Sequence, residues 1–178
     1  AFVQISLFDC CQPSLNMKNE VIDKSITDGK AMNQDDLTKP REKTEEMINK
    51  LLGERQEMLV HFCRVAGLDP YNASLPNREM IEDFCQVLVD YSAFGHFEIL
   101  SRILSGEEQR QKVLDVANKV YPQLAESTDF AVAFNDKYDQ LTHTEPLDHL
   151  NDDLCTLGEE IAMRIEVEDQ LIDAMRAS

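Results

Sequence analysis

The chain has 178 residues, of which 43% are hydrophobic, and this is enough to build one domain with its own core. It carries 34 acidic and 17 basic side chains, and the resulting net charge of −17 argues against direct binding to nucleic acid or to anionic membranes. Six glycines and six prolines are too few for a loop-rich chain, and no apolar run is long enough to span a membrane. These features predict a soluble, acidic domain.

The five cysteines show no paired spacing, and their number is odd. Cys63, Cys85 and Cys155 lie within apolar helical patterns, where a free thiol packs as a small hydrophobic group. Residues 1–8 lack the basic and apolar regions of a secretion signal. Because disulfide frameworks belong to oxidising compartments, these features predict a cytoplasmic protein.

Residues 1–31 differ from the rest of the chain. They show no sustained period and contribute only −1 to the net charge, so that residues 32–178 carry −16. We interpret 1–31 as a disordered or non-native extension, with Met32 as a candidate for the native first residue. The alternative is a genuine N-terminal extension. In either case residues 32–178 are predicted to form a single domain.

Apolar residues recur at helical spacing from Arg41 onward. The pattern predicts four helical segments, at about 42–66, 78–104, 107–141 and 146–176. Gly67 ends the first segment, Asn77 can cap the second, and Pro122 should kink or split the third. Pro146 suits the first turn of the fourth, and no segment shows the alternation of a strand. We therefore expect an all-α fold, an antiparallel bundle of four to five long helices.

The second segment has two contrasting faces. One side of its helical wheel carries small and apolar residues, which we expect to be buried: Ile81, Cys85, Leu88, Ser92, Gly95, Ile99 and Ile103. The opposite side combines polar groups with two phenylalanines: Asp83, Gln86, Asp90, Phe94, Phe97 and Ser101. Two interpretations are open. Either the helix is buried on both sides, with Phe94 and Phe97 in the core, or the second face binds a partner through acidic and aromatic side chains.

The sequence shows no motif that indicates a metal site or a catalytic site. A di-iron bundle requires Glu three residues before His, and none of the four histidines has it: His61, His96, His143 and His149. No phosphate-binding loop, nucleophile elbow or zinc spacing is present. Arg164 and Glu168, four residues apart on an apolar seam, suit a structural ion pair that Arg55 can join across the bundle. We expect no metal, no cofactor and no enzymatic activity.

Three blocks of sequence carry a family resemblance. The first is residues 83–91, Asp-Phe-Cys-Gln-Val-Leu-Val-Asp-Tyr, followed by Gly-His-Phe at 95–97. The second is Tyr-Pro-Gln-Leu at 121–124, and the third is Leu-Gly-Glu at 157–159 with the charged residues that follow it. From residue 45 to residue 172 the chain resembles the bacterial regulator of sigma D family, which includes the alginate regulator AlgQ.

This resemblance implies an anti-sigma factor. Such a protein binds region 4 of the housekeeping sigma factor, withholds it from RNA polymerase and promoters, and so takes part in stationary-phase sigma switching. It implies sigma contacts at Asp90 and Phe97. Ala93 stands where relatives carry a contact serine, and Phe94 where they carry a small residue. With Gln86 on the same face, these are the predicted sigma-binding residues.

Charge is consistent with this partner. Region 4 is a helix-turn-helix module whose basic face binds DNA, so an acidic protein can compete for that face. Residues 121–178 alone carry −11, although such a stretch also serves solubility. The alternative function is a signalling adaptor, because the resemblance also implies binding to the phosphocarrier HPr and to the alarmone hydrolase SpoT.

Overall fold

The computed structural model describes residues 34–68, 70–71, 76–100, 102–103, 106, 108–139 and 147–177, with side chains from residue 41 onward. The predicted extension at 1–31 lies outside this set. Within it are four α-helices and one π-helix, and no strand: α1 is Gln34–Val65, α2 is Arg78–Ala93, the π segment is Phe94–Leu100, α3 is Gln111–Tyr138 and α4 is Leu150–Arg176. The all-α prediction is confirmed. None of the described helices is long and apolar enough to cross a membrane.

Contacts between α1 and α4 show that these two helices run in opposite directions. In the first half of α1, Glu45 Oε1 lies 2.7 Å from Arg176 Nη2 at the end of α4. Near the end of α1, Phe62 packs on Gly158, where an added Cβ would lie 2.9 Å from the ring. Residue numbers rise along one helix as they fall along the other, so α1 and α4 are antiparallel.

The other neighbouring pairs are antiparallel as well. Ring contacts join Phe62 to Phe84 and Phe84 to Phe134, at centroid separations of 5.9 and 5.7 Å. Beyond the other end of α2, in the π segment, the His96 ring lies 5.7 Å from that of Tyr121. α3 and α4 meet where Lys137 pairs with Asp153 and again where Ser127 accepts from Arg164, so their residue numbers run in opposite directions. The four helices therefore alternate in direction around one core, and α2 faces α4 across it.

The predicted inner face of α2 and its continuation is buried. Ile81, Leu88, Ile99 and Ile103 are each no more than 2% exposed. Cys85 is also fully buried, and burial raises the pKa of its thiol to about 12. Cys155 is exposed, against the expectation that it packs as an apolar residue. The inner face of α2 thus supplies a large part of the core.

Helix boundaries differ from the prediction in ways that have local causes. α1 begins at Gln34 rather than at 42. The residues of its first turns are mostly polar, so apolar periodicity gave no indication that they are helical. Pro122 was predicted to kink or split the third segment, and the split is wrong, because α3 continues through Pro122 as one helix. Pro122 is exposed, and water can satisfy the carbonyl whose amide partner is missing. Pro146, expected in the first turn of α4, lies outside the described residues.

Candidate protein-binding surface

The side of α2 and the π segment that faces away from the core carries the predicted site residues, and we call it the outer face: Gln86, Asp90, Ala93, Phe94 and Phe97. Gln86 and Asp90 are exposed, and Gln86 Nε2 donates a hydrogen bond of 3.0 Å to Asp90 Oδ2. Ala93 is half-buried. The hydrogen bond orients the Asp90 carboxylate while leaving it accessible to a partner.

Phe97 is 38% exposed, and the described residues contain only two other large hydrophobic side chains that are comparably open, Leu68 and Phe130. The Phe97 ring meets the His96 ring edge-on, with 5.1 Å between centroids. The interpretation that placed Phe97 in the core is therefore wrong. An aromatic ring held by a neighbour and open to solvent is the kind of side chain that anchors protein interfaces.

Phe94 fits neither the core interpretation nor the binding-face interpretation completely. It is half-buried and packs against the hydrophobic core from the outside. The Nζ atom of Lys50, on α1, lies 4.2 Å from the centre of its ring, within range of a cation–π contact. This contact joins α1 to the outer face, and it places the positive charge of Lys50 at the edge of that face.

The π segment changes the geometry that the sequence predicted for this face. A single α-helix over 78–104 would place Asp90 and Phe97 two turns apart on one stripe. α2 instead ends at Ala93, and the chain continues as a π-helix, whose hydrogen bonds span one more residue. The seven-residue spacing therefore no longer repeats the same direction, although both side chains remain exposed.

A buried guanidinium lies directly beneath the start of the π segment. Arg164, on α4, is 2% exposed, and its Nη2 donates to the backbone oxygen of Ser92 at 3.1 Å. Its Nη1 donates to the hydroxyls of Ser127 and Thr128 on α3, at 3.1 and 3.0 Å. Nε lies 2.8 Å from Glu168 Oε1, an ion pair whose angle does not suit a hydrogen bond.

Glu168 extends this network to α1 and adds a second contact with α2. Its Oε2 accepts from the Tyr91 hydroxyl at 2.7 Å and from Arg55 Nη2 at 3.0 Å. Burial and the Glu168 carboxylate raise the pKa of Tyr91 well above its ordinary value, so its hydroxyl remains a donor. Arg55 also donates to Asp169 at 2.7 Å. The two arginines and two carboxylates have no net charge, and the contacts involve all four α-helices.

His96 supports the exposed aromatic ring of the outer face. Its ring lies between those of Phe97 and Tyr121. Burial, followed by the positive charge of Arg164, lowers the pKa of His96 below its ordinary value, and Asp129 opposes this shift. The imidazole that supports Phe97 is therefore neutral at pH 7.

The described residues contain no cluster of His, Cys, Asp or Glu that could hold a metal ion. The features that stand out are an exposed aromatic ring, an oriented carboxylate and a polar network beneath them. Such a surface can bind a protein partner that offers an apolar pocket and a basic group.

Comparison with known families agrees with the resemblance seen in the sequence. Residues 31–176 match the family described as "Regulator of RNA polymerase sigma(70) subunit, Rsd/AlgQ". The chain belongs to this Rsd/AlgQ family. A regulator of sigma D from Yersinia enterocolitica is 35% identical over 138 residues, with 71% of this chain and 78% of the relative covered. One from Shigella dysenteriae is 34% identical over 145 residues, with 78% and 89% covered. No solved structure matches the chain with statistical significance.

The sequence blocks that resemble the Rsd/AlgQ family come together in the fold. The first block supplies the outer face and the buried Tyr91, while the charged residues of the third block, Arg164 and Glu168, lie beneath it. Spacing alone predicted the pair formed by Arg164 and Glu168. It did not reveal Ser127 and Thr128, because a hydroxyl on a helix gives no sign of which buried charge it will meet.

Proposed function

We propose that this chain is a cytoplasmic, non-enzymatic anti-sigma factor that binds region 4 of the housekeeping sigma factor. Bound in this way, region 4 would be withheld from RNA polymerase and from promoters, and the chain would take part in stationary-phase sigma switching. The observation that carries the proposal is Phe97. It is a large aromatic side chain left exposed on the face where the Rsd/AlgQ resemblance predicts sigma contacts.

The mechanism we propose uses charge for approach and the outer face for contact. The net charge of −17 attracts the basic DNA-binding face of region 4 over a distance of about 8 Å in physiological salt. Phe97 then enters an apolar site on sigma, while Asp90 pairs with a basic group beside it. Because no covalent step is involved, binding is reversible, and its extent depends on the amounts of the two proteins.

Gln86, Phe94 and Ala93 have supporting roles in this proposal. Gln86 orients the Asp90 carboxylate through the 3.0 Å hydrogen bond. Phe94, held by Lys50, adds half-buried apolar surface to the outer face. Ala93 is half-buried and contributes a small contact without a hydroxyl group.

Titration of purified sigma region 4 into this protein tests the proposal, with Asp90→Asn as the informative variant. Asparagine keeps the shape of the side chain but removes its charge, so binding should weaken by about 1–3 kcal/mol as a basic partner group loses its ion pair. The matched control is Glu166→Gln, which removes one exposed charge from α4, on the opposite side of the core from α2. An equal loss for both variants would mean that only net charge matters, and failure of the wild type to bind would refute the proposal.

Parallel titrations distinguish sequestration from the adaptor function. HPr is added to the same protein under the same conditions, and core RNA polymerase is added to the preformed complex with sigma. Sequestration requires that the protein and the polymerase compete for sigma. Tight binding of HPr without binding of sigma would favour the adaptor instead.

A further inference from the structure

The Arg164 guanidinium lies very close to the backbone of the π segment at Gly95. A Cβ atom added to Gly95 would lie 2.8 Å from Arg164 Nη2 and 3.2 Å from Glu168 Oε1. The first distance is shorter than real Cβ contacts allow, so only glycine lets the guanidinium lie against the backbone here. Gly95 is the second residue of the π segment, and Phe97 follows two residues later.

Arg164 cannot readily move away from this contact. Its Nη1 donates to two hydroxyls and to the Leu124 carbonyl of α3, and its Nε is ion-paired with Glu168. The remaining nitrogen, Nη2, donates to Ser92 O, in the last turn of α2. A planar guanidinium with hydrogen bonds from both terminal nitrogens and an ion pair at Nε is held in one orientation, which makes it a fixed point against which the neighbouring backbone is placed.

A π-helix needs such a fixed point. Its hydrogen bonds are less favourable than those of an α-helix, and short π turns occur where tertiary contacts hold them, often at functional sites. A donor that reaches a backbone carbonyl from the side also disturbs the regular ladder of the helix. The change from α to π hydrogen bonding begins within two residues of Ser92. The position of Phe97 therefore depends on a contact made from inside the core.

We propose that Arg164 is a positioning residue for sigma binding, which holds the π segment in its register and so sets where Phe97 is presented. This inference rests on the proposed function, because it gives the buried network a role at the same surface. It differs from a purely structural role in one respect. Loss of Arg164 should weaken partner binding more than an equal loss of stability elsewhere in the same network.

Arg55 provides the matched control. It is also a buried arginine bonded to Glu168, but within the described residues its side-chain hydrogen bonds go to α4, to Glu168 and Asp169. Arg164→Lys and Arg55→Lys keep the charge of the network while removing the planar fork of donors. Both should lower the melting temperature, and only the first removes a contact with the π segment. Gly95→Ala disturbs the same contact from the opposite side without replacing a charged side chain.

The experiment measures sigma affinity and amide hydrogen exchange for these three variants, well below their melting temperatures. We expect Arg164→Lys and Gly95→Ala to weaken binding by about tenfold and to speed exchange over residues 94–100, because a loosened supporting contact misplaces the side chain above it. Arg55→Lys should stay within about twofold of wild type in both measurements. In a Phe97→Ala background, Arg164→Lys should cost less affinity than it does alone, since the residue it positions is already gone.

Two results would overturn the inference. One is equal loss of affinity in Arg164→Lys and Arg55→Lys, which would mean that the network contributes stability only. The other is unchanged exchange over residues 94–100 in both Arg164→Lys and Gly95→Ala. Failure of the wild type to bind sigma would instead refute the proposed function, and hydrogen exchange would still decide whether Arg164 holds the π segment.

Discussion

Truncation of Phe97 to alanine should weaken sigma binding by an amount that follows from its exposure. The side chain is 38% exposed, and a phenylalanine offers about 200 Å² in total, so that about 75 Å² remains for a partner to cover. At about 25 cal/mol per Å², the lost contact amounts to about 2 kcal/mol, or about thirtyfold in Kd. The covered part of the ring packs on His96, so the melting temperature should fall by only a few degrees.

Phe130→Ala is the control for this measurement. Phe130 is also 38% exposed, and it follows Tyr121 on α3 by nine residues. Nine residues turn a helix by about 180° and advance it by about 13 Å, so Phe130 points away from the side on which Tyr121 meets His96. Both variants are titrated with sigma region 4 by calorimetry at a temperature where melting curves show them fully folded. If Phe130→Ala loses as much affinity as Phe97→Ala, or if the loss at Phe97 only follows unfolding, Phe97 is not the anchor.

Three further predictions concern stability, rate and pH. Leu88→Ala truncates a core residue that is 1% exposed and should lower the free energy of unfolding by about 2–5 kcal/mol in denaturant titrations; a loss below about 1 kcal/mol would contradict its place in the core. The rate of association with sigma, measured by stopped flow, should fall as salt rises, since a net charge of −17 steers the encounter; a constant rate would remove the electrostatic part of the mechanism. Because the pKa of His96 is lowered from 6.5, the folded state disfavours its protonation, and stability should decrease as pH falls from 6.5 towards the lowered pKa. Denaturant titrations of wild type and His96→Gln across that range check this, and an unchanged slope in the variant would assign the effect to other groups.

The fold class and the buried side of α2 could be predicted because both depend on local periodicity. Apolar residues at helical spacing indicate helices, and the same spacing indicates which side of each helix is covered. The small residues Cys85, Ser92 and Gly95 fell on the inner face for this reason, and the structure buries all three. Exposure of Phe97 could not be settled in this way, since a helix covered on both sides would show the same pattern.

The π segment could not be predicted, because its cause lies far away in the sequence. Ser92 and Gly95 meet Arg164 about seventy residues later, and nothing local to α2 signals that a guanidinium will lie against its backbone. The path of α3 through Pro122 has a similar explanation. Proline disfavours a helix interior, but burial of the opposite side of α3 outweighs this where the free carbonyl can meet water.

The network beneath the outer face is a costly way to fill a core. Burying two arginines and a glutamate removes their hydration, and apolar side chains of similar volume often give equal or greater stability in such positions. Apolar side chains would not, however, fix the direction of a backbone segment as Arg164 does through Ser92 O. This buried network lies where α2 changes to a π-helix and where Phe97 is exposed to solvent. Because the network fixes the direction of the π segment rather than maximising stability, it is best explained by the need to position Phe97 on the outer face. It follows that variants selected only for higher melting temperature should readily accept apolar replacements at Arg164 and Glu168, whereas variants selected for sigma binding should keep the arginine.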